Sequence, residues 1–449
     1  MSQHELRPVS TDHHASPDLS VSQEESPDAN LQSLPPADHG KAACRLLLAA
    51  FIFEALLWGF PLSFGVFQAY YSQIPEFAGN PFISVVGSVA SGISYIAAPI
   101  MIPITKRYSK HRKHMILIGW PICLLALIAG SFAKNLGTLI LTQGVMYGLG
   151  FVVFYYPILS FVNEWWVERR GMAYGLLCSA SGVSGAVFPF AIEQLLHKYG
   201  YQTTLRAIAI GLAVLTGPLI PFLKGRVPET SSGASSSSRT DWTFLKTSTF
   251  WTYNISNLAM GFGFFFPALY LPSYAANLGL SPTKGALLLA TMSVSQVLGQ
   301  MSFGYASDWK KSIDALAITA SFVAAVIAFA GWGLARSFGP LVVFSIFYGF
   351  FGTGYTALWG RMGTKISDDP SAAFAAFGLL NLGKGIGNVL AGPIGGGLVR
   401  RGNMYEQGYG TGKYERVVIF TGVCMAVSAL VIVVARSIAA GKRLGWRSD

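Results

Sequence analysis

Twelve stretches of mostly apolar residues recur along the chain, separated by short polar breaks. They fall at roughly 46–70, 82–104, 115–133, 138–162, 171–195, 204–223, 250–274, 285–304, 313–334, 340–360, 371–398 and 417–436. About twenty such residues in a helix cross the hydrocarbon layer of a bilayer, so each stretch predicts one membrane-spanning helix. Proline and glycine interrupt several of them. A membrane helix tolerates this where neighbouring helices satisfy the freed backbone groups.

Polar segments also flank the twelve stretches and divide them in the middle. Residues 1–44 carry seven acids, many Ser and Pro, and no apolar run, which predicts a disordered tail rather than a cleaved signal. Residues 224–248 contain SSGASSSSRT, the composition of a flexible linker. Residues 437–449 form a short second tail. Six spans precede the linker and six follow it, predicting bundles at 45–223 and 249–436.

An internal repeat supports that division. Gly175-Leu176-Leu177 with Gly182 matches Gly378-Leu379-Leu380 with Gly385 at an offset of 203, and Tyr147-Gly148 matches Tyr348-Gly349 at 201. The loops at Lys106-Arg107 and Asp308-Trp309-Lys310 are about 202 apart. The fold class is therefore an all-α membrane protein, with twelve transmembrane helices in two pseudo-symmetric six-helix bundles. Two such halves predict rocking about a site near the bilayer midplane.

Composition agrees. Hydrophobic residues make up 52% of the 449 and charged residues 12%, against about 25% charge in a typical soluble domain. The net charge of +11 would suggest nucleic acid in a soluble protein. Here the bases sit in separate short loops. The loops on one face, with both tails, carry 22 Lys and Arg, and those on the other carry 9. The positive-inside rule then predicts that both termini are cytoplasmic. No nucleic-acid partner is expected. The four cysteines have neither metal-site nor disulfide-framework spacing, so no metal is predicted.

Several motifs resemble the major facilitator superfamily, and within it the monocarboxylate-porter branch in its fungal form. Trp166-Val167-Glu168-Arg169-Arg170-Gly171-Met172-Ala173-Tyr174-Gly175 is similar to that branch's signature before the fifth helix. Trp58 through Gln68 resembles its first-helix pattern, and Phe303-Gly304 through Asp308 resembles the superfamily's G-x-x-x-D loop motif. The resemblance implies a secondary transporter, and its fungal form implies the plasma membrane as the location. It departs where the branch's proton-coupled carriers place their charges: Leu62 stands where they have lysine, and Gln296 and Gln300 where they have Asp and Arg. Asp38-His39-Gly40 is a reduced form of the branch's motif before helix one.

Charge inside a membrane is costly and marks candidate sites. Lys384 lies mid-span, too deep to reach the interface, with Asn381 and Asn388 on the same helical face. This stripe is the candidate contact for an anionic group. Glu54, on a face with Trp58, is the candidate carrier of a coupling proton or the partner of Lys384. Gln296 and Gln300, with Ser293, form a second polar stripe suited to hydrogen-bonding a solute or gluing helices. Asn254 and Asn257 are weaker versions of it. Arg361 and Asp308, at span ends, are candidate gating residues. Gly378-x4-Gly383-Lys384 nearly fits a phosphate loop, but Gly385 occupies the Ser/Thr place and no strand precedes it. No nucleotide and no cofactor are expected, and no enzyme motif is present.

The reading is a secondary transporter of a small organic metabolite, possibly carboxylate-bearing, with efflux of a fungal secondary metabolite as the first expectation. A nutrient importer for a vitamin or carboxylate is the alternative. A non-transporting membrane sensor is the alternative of another class.

Overall fold

The computed structural model describes residues 35–71, 73–77, 83–227, 241–309, 312–399 and 408–445. Among them, ten helices are long and apolar enough to cross a membrane, and a pair bent by 48° supplies an eleventh crossing. One of the ten, Arg170–Phe222, has 53 residues, more than twice what a crossing needs. It breaks at Gly200, whose φ of 72° and ψ of 170° are open to glycine and strained for other residues. Counted as two crossings, it brings the total to the expected twelve.

The helices, in chain order, are α1 Lys41–Gln68, α2 Ile83–Ile96 continued as Ala98–Arg107, α3 Ser109–Gly130, α4 Leu136–Trp165, α5 (170–199) and α6 (201–222). The second set is α7 Ser248–Asn277, α8 Thr283–Asp308, α9 Ile313–Trp332, α10 Phe338–Ile366, α11 Pro370–Leu398 and α12 Glu415–Gly445. The bend in α2 sits where Pro99 removes a backbone donor. Both ends of the described chain lie on one face, called the terminal face below.

Two tail boundaries move. Helix α1 begins at Lys41 and Asp38 is buried, so the predicted disordered tail ends earlier than residue 44. Helix α12 continues to Gly445, past the predicted end at 436, because polar residues can extend a helix beyond the bilayer. Residues 1–34, 446–449 and the serine-rich centre of the linker (228–240) lie outside the described residues.

Contacts follow the sequence repeat. The Tyr147 hydroxyl of α4 donates to the Leu57 carbonyl of α1 at 2.6 Å, and its repeat partner Tyr348 of α10 donates to the Gly263 carbonyl of α7 at 3.3 Å. Two seams join the first six helices to the last six, α5 against α8 and α2 against α11. At the first, a Cβ added to Gly175 would stand 2.6 Å from the Gln300 carbonyl oxygen and 2.9 Å from the Gly304 Cα. At the second, one added to Gly378 would stand 2.7 Å from Ile102. Helices α3, α6, α9 and α12 turn Leu125, Val214, Phe322 and Leu430 outward, where lipid would cover them.

Gly175→Val would push backbone against backbone at the first seam. Overpacking of this kind costs about 1–3 kcal/mol, so the variant is expected to unfold at a lower temperature than wild type in the same lipid. An unchanged melting midpoint would contradict the close approach.

Candidate functional site

A cavity lies between the two seams, lined by Glu54 and Trp58 of α1, Tyr95 of α2, Tyr155 of α4, and Tyr174, Cys178 and Ser181 of α5. Gln300 of α8, Thr356 and Trp359 of α10, and Phe377, Asn381 and Lys384 of α11 close it from the other half. Its volume is about 40 Å³, room for a water or two rather than an organic solute. The walls must therefore separate before a solute can enter.

Lys384 points into this cavity because its neighbours in α11 are committed to packing. Gly383 and Gly387 lie against Asn257 and Gly261 of α7, and Gly385 lies against Tyr95 and Ile96 of α2. These contacts place the near-match to a phosphate loop inside packed helix. The lysine is 6% exposed. Its ammonium lies 4.1 Å from the ring centre of Phe264 and 5.4 to 5.7 Å from those of Tyr95, Trp359 and Phe265. Ring faces attract a cation and do so more strongly away from water. Among the described residues no carboxylate pairs with it directly.

Glu54 shares the cavity. One of its oxygens accepts a hydrogen bond from Tyr155 at 3.1 Å, and the other has no partner. Gln300 donates to the Thr356 hydroxyl at 3.0 Å, leaving its carbonyl oxygen without one, and the Trp359 indole N–H also lacks one. Buried polar atoms are normally hydrogen-bonded, and three that are not line a single cavity. Two acceptors, one donor and a cation thus face the same small space.

The other candidates divide between the cavity and the seams. Gln296 donates to Ser181 at 2.8 Å across the first seam, and Asn388 donates to Ser91 at 3.1 Å across the second. Asn381 lines the cavity while its amide donates to Phe377 within α11. Asn257 donates to the Leu380 carbonyl at 2.7 Å, joining α7 to α11. Sequence reasoning missed Tyr95, Tyr155 and Cys178. Mid-span tyrosine was the available signal, because Tyr in membrane helices gathers at the interfaces.

On the terminal face, Asp308 accepts hydrogen bonds from the amides of Gly171 (2.9 Å) and Met172 (2.7 Å) at the start of α5. It also pairs with Arg361 at 2.8 Å, and Arg361 donates to the Glu168 carbonyl at 2.7 Å. Asp38 holds the same loop from the other side, accepting from the amides of Val167, Glu168 and Arg169. Between this network and the cavity, Tyr174 meets Phe377 edge-on with ring centres 5.0 Å apart.

A family model described as Major Facilitator Superfamily matches residues 46–333. The chain belongs to the Major Facilitator Superfamily. As a member it is a secondary transporter. Similar members include MFS transporter asaE of Aspergillus flavus, 26% identical over 427 residues, covering 95% of this chain and 93% of that one. MFS-type transporter pynF of Aspergillus niger is 27% identical over 418 residues, 92% of each chain. The fujikurins efflux protein of Gibberella fujikuroi is 26% identical over 441 residues, 96% of this chain and 90% of that one. Among solved structures, the superfamily transporter FucP in its outward conformation aligns with a TM-score of 0.61 at 11% identity, over 86% of this chain and 98% of that chain. At that identity the likeness speaks for the fold alone.

Asp308→Ala removes the acceptor for two helix-start amides and the partner of Arg361. Cys178 reports the result, since it lines the cavity. With Cys44 and Cys424 replaced by Ser, its alkylation by a maleimide confined to the terminal face is expected to rise roughly tenfold, the effect of losing one charge-assisted contact. An unchanged rate would remove Asp308 from the seal.

Proposed function

We propose that this transporter exports a small organic acid with an apolar, planar body, by alternating access between residues 45–223 and 249–436. The observation that carries the reading is Lys384: a buried cation faced by aromatic rings, in a cavity between the halves whose Glu54, Gln300 and Trp359 atoms lack partners. Lys384 and the Trp359 N–H would receive the anionic oxygens, and Gln300 would accept from a hydroxyl or N–H on the same molecule. Tyr95, Trp58 and Phe377 would flank the apolar body. The name of the fujikurins efflux protein supports export of a secondary metabolite. The motif likeness supports a place in the monocarboxylate-porter branch, with a substrate contact moved from helices one and eight to α11. The bias of Lys and Arg supports a cytoplasmic terminal face, and likeness to an efflux protein supports the plasma membrane. The conformation described is then the one closed to the cytoplasm.

Glu54 is the proposed proton carrier, since its free oxygen faces the substrate cavity and a gradient must drive the cycle.

A deletion strain is expected to retain an acidic metabolite that wild-type cells release. Wild type and Lys384→Arg should restore release, whereas Lys384→Ala, at equal surface abundance, should not. Full release by Lys384→Ala would sink the assignment. In proteoliposomes, Glu54→Gln is expected to flatten the pH dependence of flux of that metabolite while exchange persists. A profile identical to wild type would exclude Glu54 from coupling.

A further inference from the structure

A second cavity lies on the terminal side of the Tyr174–Phe377 ring pair. Its volume is about 320 Å³, within the range of sites that hold small organic ligands. The central cavity, at about 40 Å³, is closed to such ligands in the same conformation. Ile102 of α2 and Phe374 of α11 supply an apolar wall, and Lys106, Arg112, Glu164 and Arg170 supply charge.

Among the described lining residues the one acid is Glu164, which pairs with Arg112 and also accepts from the backbone amides of Arg226 and Val227. Lys106 donates to Ser371 across the second seam. Arg170 differs. It is 8% exposed, and its guanidinium donates to the carbonyl oxygens of Trp166 and Asn163, both at 3.3 Å. No carboxylate among the described residues hydrogen-bonds to it, and the charge of Asp38 acts on it only through space. A guanidinium has five N–H donors, so two long bonds to neutral acceptors leave most of its capacity unused. Holding such a cation out of water with no counter-ion in contact is costly. Here it stands at the wall of a ligand-sized cavity. The gap is also shaped for an amphipathic anion, because the apolar wall lies within the same enclosure.

The two cavities are linked by one side chain. Tyr174 lines the central cavity, and its hydroxyl donates to the Asn163 side chain at 3.1 Å, while Asn163 lines the outer one. The Tyr174 and Phe377 rings form the partition, one from each half of the molecule.

We propose that the outer cavity is a second binding site, for organic carboxylates, which holds the anion on Arg170 and its apolar body against Ile102 and Phe374. The substrate loads there while the partition is closed. It passes to Lys384 when Tyr174 and Phe377 separate. The site stands on its own residues and does not require that Lys384 bind substrate.

The test is photolabelling of the full chain in lipid nanodiscs with 4-benzoylbenzoate and its neutral analogue 4-benzoylbenzamide, followed by peptide mapping. The carboxylate is expected to label the segments around Ile102 and Phe374 about tenfold more than the amide, the effect of one charge-assisted hydrogen bond. That contrast needs no variant. It should survive Lys384→Ala, fall to the amide level in Arg170→Gln and return in Arg170→Lys. Equal labelling by the two probes would overturn the site, as would adducts confined to residues 377–384 or a contrast indifferent to Arg170→Gln in protein that melts as wild type does. Loss of the contrast in Lys384→Ala would overturn its independence. Failure of Lys384→Ala to alter metabolite release would instead count against the central site alone.

Discussion

The structure rests on helix backbones touching at two seams. Lipid tails are as apolar as leucine, so helices in a bilayer gain little from hiding hydrophobic surface against one another. What holds them is close packing and hydrogen bonds across the contact. Gly171, Gly175 and Gly182 let α5 lie directly on α8, and Gly378 and Gly385 let α11 lie on α2. Gln296–Ser181 and Asn388–Ser91 add one polar link to each seam. Larger residues at these glycines would hold the halves apart, and the cavity between them would have no closed form.

Closing the seams creates an electrostatic problem that the protein leaves unsolved. Lys384 is brought into a low-dielectric space where four rings offer partial compensation and no carboxylate among the described residues pairs with it directly. Glu54 is close enough to share the cavity, yet its second oxygen stays unpartnered. A protein built only for stability would pair these groups or replace them with apolar ones. Under the proposed function a passing anion would complete the site, and the same logic would apply to Arg170 one partition away.

Much of the fold was legible because a bilayer imposes one strong rule, a run of apolar residues for each crossing. The repeat was legible because tyrosine and glycine recur at matching helix contacts, as Tyr147 and Tyr348 demonstrate. The site was harder. A helical face can be read from spacing, but not which neighbour that face meets. Thus Lys384 and Asn381 reach the cavity while Asn388, one turn on, joins a seam. Gln300 and Gln296 divide in the same way. Asp38 is visible in the sequence as part of a reduced motif, but its role is not, because its partners are amides about 130 residues away. Arg170 looked like one more loop base, since burial of a charge at a helix start leaves no trace in composition.

The two seams are alike in packing but not in how their helix starts are satisfied. The first turn of α5 borrows its acceptor from the other half, where Asp308 receives the amides of Gly171 and Met172. The first turn of α11 supplies its own, since Asp369 receives the amides of Ser371 and Ala372. The repeat mate of Asp308 is Lys106, whose charge suits a helix N-terminus poorly. Parting the halves on this face would therefore strand the dipole of one helix and leave the other intact. Under the proposed alternating access the molecule would then be hung like a door, with its catch along α5 and α8 and its hinge along α2 and α11.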